Sequence, residues 1–428
     1  MVLLGVVLAV GFLRIDRAGV LPAWLLDSDW LYNGGSTGAR TLLGAVASSA
    51  IGVAGTIFSI TIASLSLAAG QMGPRLLRNF TRDRGNQVTL GVFLATFAYA
   101  LMVLRSVRSE NEGEFVPHLS LSFGIFLAFV CVATLVYFVN HSARRINVDT
   151  VISLVSEDIH AAVRRLTSDE PPSTVTPQRD WSHARPVIDK RRGYVQQLDR
   201  DGLADWAHDH KTAIRLLIRP GDFVFPGAPI ALMDPPVEHA GDAIRAATAL
   251  GAQRTDSADL EFAVLQLVEV AVRAMSPGIN DPNTAIAALE KLGAVLCDIA
   301  TRHFPADADV RDGHVVLVVP RVDYDGLTDT MFHMIRQNAA GSAALLIRML
   351  EVLTAVSTCE RNPERRRALA RHAALVLADA ERTVATDADF RDVKDRYRTF
   401  EETSRRGLVP ALLDADGRRQ IAKANAAI

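Results

Sequence analysis

Three long apolar segments in the first third of the chain limit its fold more than any other feature. They cover residues 41–69, 88–104 and 119–139, and none of them contains Asp, Glu, Lys, Arg or His. A hydrocarbon core of about 30 Å is crossed by roughly 20 helical residues. The segment 41–69 is longer than this, so it has to tilt or protrude. We therefore predict three membrane-spanning helices, which excludes a purely soluble protein.

Residues 1–13 are apolar as well, but as a helix they would cover only about 20 Å. We interpret them as part of a fourth span, and the alternative is a re-entrant or interfacial segment. The predicted fold class is thus an α-helical integral membrane bundle of three or four spans within residues 1–142. A mainly helical α+β cytoplasmic domain with a small β unit comes after this bundle.

The charges of the short loops predict how the spans are oriented. The loop 70–87 carries four Arg and one Asp, whereas the loop 105–118 carries three Glu and two Arg. Because loops rich in Lys and Arg stay in the cytoplasm, we place the loop 70–87 and everything after residue 139 there. The predicted location is the bacterial inner membrane. The formal net charge of −2 excludes a strongly basic nucleic-acid-binding protein. The expected partner is the lipid bilayer, because the chain contains the predicted spans.

The four arginines of the loop 70–87 form a candidate site at the membrane surface. At helical intervals they could contact anionic lipid head groups or acidic residues of the cytoplasmic domain. The alternative is that they only retain the loop in the cytoplasm. These residues are Arg75, Arg78, Arg82 and Arg84.

Small residues recur at three- and four-residue steps along the segment 41–69 and line one face of the predicted helix. In lipid, such a face allows two helices to approach closely. Three interpretations remain open: packing within the chain's own bundle, an interface between subunits of a homo-oligomer, or the wall of a narrow pore. The residues are Gly44, Ser48, Gly52, Gly55, Thr56 and Ser59.

The cytoplasmic part divides into three regions. Apolar residues at helical spacing predict a helical stalk and linker over residues 143–170. Short β-rich runs separated by Pro-Gly turns predict a small β-containing module over residues 186–236. Residues 255–428 contain several amphipathic segments and are predicted to form a mainly helical domain.

A turn between two predicted helices forms the second candidate site. Arg273, Ser276, Asn280 and Asp281 gather there, and a helix N-terminus with Asn and Arg nearby can bind an anion. The alternative is structural. In that interpretation Asp281 caps the second helix and pairs with Arg273, while Gly278 takes a positive φ.

Sequence motifs of the common enzyme classes are absent. The chain has no Gly-x-x-x-x-Gly-Lys loop, no Gly-x-Gly-x-x-Gly turn, no His-Glu-x-x-His helix and no Gly-x-Ser-x-Gly elbow. Its three cysteines are far apart in sequence and fit neither a disulfide framework nor paired metal ligands. We therefore predict no catalytic residue, cofactor or metal ion, and we favour a protein that is not an enzyme.

Several short motifs stand out along the chain. They are Thr56-Ile-Phe-Ser-Ile-Thr-Ile62, Pro74-Arg-Leu-Leu-Arg-Asn-Phe80, Asp83-Arg-Gly-Asn-Gln87, Gly193-Tyr-Val-Gln196, Pro220-Gly-Asp-Phe-Val224 and Ser276-Pro-Gly-Ile-Asn-Asp-Pro282. Together they resemble an uncharacterised bacterial membrane-protein family, domain of unknown function 2254. The resemblance extends over nearly the whole chain and implies an integral membrane protein with a cytoplasmic domain. It implies no substrate, reaction or active site.

Two functions are compatible with these features. The first is a non-enzymatic membrane protein that self-associates into a pore or gated conduit. It is favoured because the spans lack the charged residues that proton- and ion-coupled transporters usually need. The alternative is a membrane-anchored sensor or scaffold whose cytoplasmic domain binds a ligand or partner at the turn 273–282.

Overall fold

A computed structural model describes residues 1–18, 34–72, 84–108, 115–145, 148–171, 179–255 and 259–406. The chain forms two compact units: unit 1 is Met1–Thr150 and unit 2 is Val151–Ile428. The long helices of unit 1 are α1 (Val2–Ala18), α2 (Ser36–Met72), α3 (Arg84–Leu104) and α4 (His118–Arg145).

Three of these helices confirm the predicted spans. Ser36–Ser66 of α2, Arg84–Leu104 of α3 and His118–Ser142 of α4 are long and apolar enough to cross a membrane. Large apolar side chains on these helices remain exposed within the chain; Phe58 and Phe129 are 55% and 70% exposed. Apolar surface of this kind suits contact with lipid.

The apolar N-terminal segment forms α1, whose 17 residues extend over about 25 Å. It packs against α3, where a side chain at Gly5 would collide with the carbonyl oxygen of Ala95. Ala9 and Leu13 are buried in the same apolar cluster as Tyr99 of α3. This packing makes α1 part of the described helical bundle. Whether it is a partial span stays a prediction.

A single carboxylate joins the end of α1 to the start of α4. Asp16 accepts hydrogen bonds from the backbone N–H groups of Leu119 and Ser120 at 3.1 and 3.0 Å, and from the Ser120 hydroxyl at 2.5 Å. The first N–H groups of a helix have no partner within that helix. Asp16 therefore caps α4 from a different helix, and the two helices run in opposite directions.

Replacing Asp16 by Ala removes this cap, so we expect the free energy of unfolding to fall by about 1 kcal/mol. Asp16→Asn is the matched control, because the Asn side-chain oxygen still accepts an amide hydrogen bond. Thermal unfolding of the purified protein in detergent measures both variants. Identical midpoints for the unsubstituted protein and Asp16→Ala would contradict the capping role.

Unit 2 combines helices with two small β-sheets, which confirms a mainly helical region with a small sheet unit. The helices are α5 (Val148–Leu166), α6 (Arg200–Asp209), α7 (Ala240–Ala247), α8 (Leu260–Ala274), α9 (Pro282–Ala300), α10 (Tyr324–Asn338), α11 (Ala343–Cys359), α12 (Pro363–Thr383) and α13 (Asp387–Arg406). The strands are β1 (Arg185–Ile188), β2 (Gly193–Leu198), β3 (Ala213–Leu216), β4 (Phe223–Val224), β5 (Pro229–Asp234), β6 (Thr248–Gly251), β7 (Ala308–Arg311) and β8 (His314–Val318).

The helix α5 occupies most of the predicted stalk. Residues 146–147, where the stalk would leave the last span, lie outside the described residues. Within unit 2 the apolar face of α5 is buried. His160 Nδ1 of α5 lies 2.6 Å from Asp298 Oδ2 of α9. His160 thus connects α5 to α9 within unit 2. The stalk itself stays a prediction.

The larger sheet has the strand order β1-β5-β3-β8-β7, with β3 and β8 parallel. The smaller sheet has the order β4-β2-β6 and is antiparallel. Ile214 of β3 pairs with Leu317 of β8, so the larger sheet includes the hairpin formed by β7 and β8. Hydrogen-bonded strands thus connect the predicted module 186–236 with the predicted domain 255–428.

Candidate functional site

Helices α10 and α12 contact each other through a row of charged and imidazole side chains. In α10 the apolar residues Leu327, Met331 and Ile335 are fully buried. Another face of α10 carries polar residues at three- and four-residue steps, which keeps them on one side of the helix. This row consists of Asp325, Asp329, His333 and Arg336 from α10, and Arg371, His372, Asp379 and Arg382 from α12.

Asp329, His333 and His372 form the centre of this row. Oδ1 of Asp329 lies 3.0 Å from Nε2 of His333 and 3.0 Å from Nε2 of His372. One potential ligand atom of each residue lies within 4.8 Å of the other two. Among the residues that the structure describes, no other three His, Cys, Asp or Glu side chains come this close.

His372 is fully buried, and its Nε2 faces Oδ1 of Asp329 at 3.0 Å. Its Nδ1 has no hydrogen-bond partner among the described residues. Burial lowers the pKa of His372 to about 4, and the charge of Arg371 adds to this effect. The ring is therefore neutral at pH 7 and keeps a lone pair on one nitrogen.

The charges of the row are paired. Arg371 donates to Oδ1 of Asp329 at 2.6 Å and to Oδ1 of Asp325 at 3.0 Å. Burial alone would raise the pKa of Asp329, but the hydrogen bond and charge of Arg371 hold this pKa below its usual value. Asp329 is therefore ionised at neutral pH. Further along the row, Arg336 pairs with Asp379.

A cleft of about 420 Å³ opens beside the row. Asp325 and Ala368 line it, and each lies one helical turn before Asp329 or His372 on its own helix. Tyr324 also lines the cleft; its hydroxyl is buried and has no hydrogen-bond partner among the described residues. Burial raises the pKa of Tyr324 well above its usual value, so the hydroxyl stays protonated.

The hydrogen bonds of Asp281 at the turn 273–282 are those of a helix cap. Asp281 accepts hydrogen bonds from the Thr284 hydroxyl at 2.6 Å and from the backbone N–H groups of Asn283 and Thr284 at 3.1 and 3.2 Å. These hydrogen bonds, mainly those from Thr284, lower the pKa of Asp281. The Ser276 hydroxyl donates to the carbonyl oxygen of Arg273 at 2.7 Å.

The positive φ of this turn occurs at Asn280, with a value of 49°, and not at Gly278. The expectation for Gly278 is therefore wrong. Asn tolerates the left-handed region better than most residues, and here it directly precedes the capping Asp281. The side chain of Asn280 is exposed. A ligand at this turn stays a prediction.

The small residues of α2 lie on the side of the helix that the single chain leaves open. Gly44 is half-buried, and the other five predicted residues, from Ser48 to Ser59, are exposed. Packing within the described bundle uses another side of α2, made largely of alanines. That buried side consists of Ala39, Leu43, Ala47, Ala50, Ala54 and Ile57.

Of the four predicted loop arginines, three lie outside the described residues. They are Arg75, Arg78 and Arg82. Arg84 is the first residue of α3 and is exposed. Lipid or anion contact by these residues stays a prediction.

Two of the three cysteines are neighbours although they are distant in sequence. Burial raises the pKa of Cys297 to about 12, and the neighbouring Cys359 adds to this effect. The reactive form of a cysteine is the thiolate, so Cys297 does not have the properties of a nucleophile at neutral pH.

Sequence reasoning missed the row between α10 and α12. The spacing Asp329-x-x-x-His333 is visible in the sequence and places both side chains on one helical face. His372 comes from another helix, however, so no local motif connects it with the other two.

Similarity to known proteins extends over unit 1 and most of unit 2. The profile of a family described as "Predicted membrane protein (DUF2254)" matches residues 1–355. Uncharacterised proteins of Mycobacterium tuberculosis strains CDC 1551 and H37Rv and of Mycobacterium bovis are each 32% identical to this chain over 372 residues. Each match covers 84% of this chain and 71% of the relative. No solved structure matches the chain.

Asp281→Ala removes the cap of α9, and we expect it to lower the free energy of unfolding by about 1 kcal/mol. Asn280→Gly is the control, because Gly keeps the positive φ and is expected to have a smaller effect. Denaturant unfolding in detergent measures both variants.

Because the cap lowers the pKa of Asp281, its contribution is present above the unfolded pKa of about 4 and is lost as the pH falls through the folded value. The destabilisation by Asp281→Ala should therefore shrink in acid. A destabilisation that stays constant between pH 7 and pH 3 would contradict a cap formed by the carboxylate.

Proposed function

We infer that this chain, which belongs to the DUF2254 family of predicted membrane proteins, is a self-associating protein whose subunits together form a conduit through the membrane. In this proposal the protein is located in the bacterial inner membrane, and the arginine-rich loop 70–87 and unit 2 are cytoplasmic. The interface between subunits is the small-residue face of α2, and its occupant is α2 of a second copy.

The observation that carries the proposal is the exposure of glycines within a membrane span. In the described part of the chain, a Cβ atom built on Gly52 or Gly55 meets no atom of another helix within 4 Å. Glycine inside a helix costs about 1 kcal/mol relative to Ala, and a glycine that faces only lipid has no packing to offset this cost. Contact with a second α2 would supply that packing, because small residues let helices approach closely.

The polar groups on this face also suit contact between helices. The hydroxyl of Thr56 donates to the carbonyl oxygen of Gly52 at 3.2 Å, and that of Ser59 donates to Gly55 at 3.0 Å. In the single chain these hydroxyls are thus satisfied by their own helix. In an assembly they could bind across the interface or line a narrow polar path.

Gly52→Leu and Gly55→Leu test this interface. The added side chains hold the helices apart, so the mass of the detergent-solubilised protein, corrected for the micelle, should fall from that of a trimer or larger ring towards that of a monomer. Val136→Leu in α4 is the matched control, since it enlarges a side chain at a position that is 66% exposed on another helix. We expect this variant to keep the mass of the unsubstituted protein.

Flux through liposomes separates assembly from conduction. We expect the unsubstituted protein and Val136→Leu to release a small encapsulated ion, and Gly52→Leu to release it more slowly. Unchanged mass together with unchanged flux in both glycine variants would refute the interface. A monomeric unsubstituted protein would refute the conduit, because three or four spans are too few to enclose one.

The second candidate function is that of a membrane-anchored sensor or scaffold. It is favoured by one observation in unit 2, the buried His372 that lies together with Asp329 and His333. A monomer or simple dimer with an intact ligand site in unit 2 would support this function in place of the conduit.

A further inference from the structure

We propose that Asp329, His333 and His372 bind one divalent transition-metal ion of the Zn²⁺ type between α10 and α12. The proposal does not depend on self-association, because its three residues belong to unit 2 and its test measures metal binding. A monomeric protein that binds Zn²⁺ here would refute the conduit and leave this site intact.

The donor atoms determine which metal class fits. Two imidazole nitrogens and one carboxylate oxygen are typical ligands of Zn²⁺ and of other first-row transition metals. Ca²⁺ and Mg²⁺ prefer sites made of oxygen atoms, so two histidines disfavour them. Three protein ligands leave a coordination position for water or a small ligand.

Two of the three distances between the proposed ligand atoms match those of a metal-bound set. Ligand atoms about 2.1 Å from a metal ion lie roughly 3.0 to 3.5 Å from one another at octahedral or tetrahedral angles. Oδ1 of Asp329 is already 3.0 Å from Nε2 of both His333 and His372. The spacing of four residues on α10 holds Asp329 and His333 on one face, and α12 brings His372 to the same place.

The burial of His372 is an independent reason to expect a ligand. A buried polar group without a partner costs free energy, and buried polar groups are generally satisfied. His372 is fully buried; its Nδ1 has no hydrogen-bond partner among the described residues, and its Nε2 faces Oδ1 of Asp329 at 3.0 Å. The neighbouring ring of Phe332, at 5.3 Å between centroids, offers no hydrogen-bond acceptor of its own. A metal ion would bind Nε2 and have Oδ1 of Asp329 as its neighbouring ligand.

Arg371 is the group that opposes a cation here, and its contacts show how both can be accommodated. It binds Oδ1 of Asp329, and it also binds Asp325 at 3.0 Å. Carboxylates that ligate metals are usually hydrogen-bonded by a second residue. A carboxylate oxygen has two lone pairs. Oδ1 of Asp329 can therefore accept the hydrogen bond from Arg371 and also bind the metal, while Arg371 stays attached to Asp325.

Access to the site is available from solvent. The side chains of Asp329 and His333 are 37% and 33% exposed, whereas His372 is at the buried end. The cleft lined by Asp325 and Ala368 begins one helical turn away. A metal ion would thus be held from the interior by His372 and would present its open position towards the surface.

The test uses the full-length protein in detergent, without a histidine tag and stripped of metal by a chelator. We expect isothermal titration with Zn²⁺ to show one equivalent per chain. Co²⁺ should give visible absorption bands of mixed nitrogen and oxygen coordination. His333→Ala should weaken Zn²⁺ binding at least tenfold, because it removes a ligand.

The matched control is His160→Ala. His160 also lies beside a carboxylate, 2.6 Å from Asp298, but it belongs to no group of three ligands among the described residues. It should bind Zn²⁺ as the unsubstituted protein does. Zn²⁺ should raise the thermal unfolding midpoint of the unsubstituted protein and of His160→Ala, and leave that of His333→Ala unchanged.

Asp329→Asn serves as the second ligand variant, since it removes the charge with almost no change in shape and protects the test against misfolding of His333→Ala. Loss of binding in both ligand variants, with retention in the control, would support the site. Absence of one saturable Zn²⁺ equivalent would overturn the proposal. Equal affinity in a folded ligand variant and the unsubstituted protein would also overturn it.

Discussion

A bilayer offers no hydrogen-bond partners to the backbone, and the form of unit 1 depends on this constraint. Only helices satisfy every N–H and C=O group within a single segment, so the apolar runs of this chain have to be helical. At the start of a helix the first N–H groups have no partner within the helix, so they need hydrogen-bond acceptors from elsewhere in the chain. Asp16 supplies them to α4, and the end of α1 is thereby attached to the start of a helix that lies far away in sequence.

Hydropathy alone predicts the spans of unit 1, but it does not predict which sides of the helices meet. The three spans can be predicted because the length of an apolar run depends only on consecutive residues. Which side of α2 is buried depends on residues that are distant in sequence. The alanines of the buried side, including Ala47 and Ala54, are as small as the residues of the open face. Composition therefore could not distinguish packing within the chain from packing between chains. The same reason applies to α5: its apolar stripe predicts a helix, but it does not predict which residues bury that stripe.

In the candidate sites, contacts between residues close in sequence could be predicted. Contacts between side chains of different helices could not. The role of Asp281 as a cap is evident from an Asp-Pro pair at the start of a helical pattern, and its three hydrogen bonds confirm the capping contacts. The row between α10 and α12 requires that two helices separated by α11 lie side by side. Asp329 and His333 could be recognised as neighbours on one helix, but a pair of this kind is common on solvated faces. The pair becomes a group of three potential ligands only because the fold places His372 of α12 beside it.

Both proposals concern residues that lower the stability of the isolated chain. Gly52 and Gly55 weaken a helix without packing against anything in the described bundle. His372 is fully buried next to the carboxylate of Asp329, and burying a polar ring without a full set of hydrogen bonds costs free energy. Natural sequences that break local rules of this kind tend to do so at functional sites. A second α2 would offset the first cost, and a metal ion would offset the second. Because these two costs fall in different units and need different partners, the proposed membrane interface and the proposed metal site are independent, and loss of either one would leave the other in place.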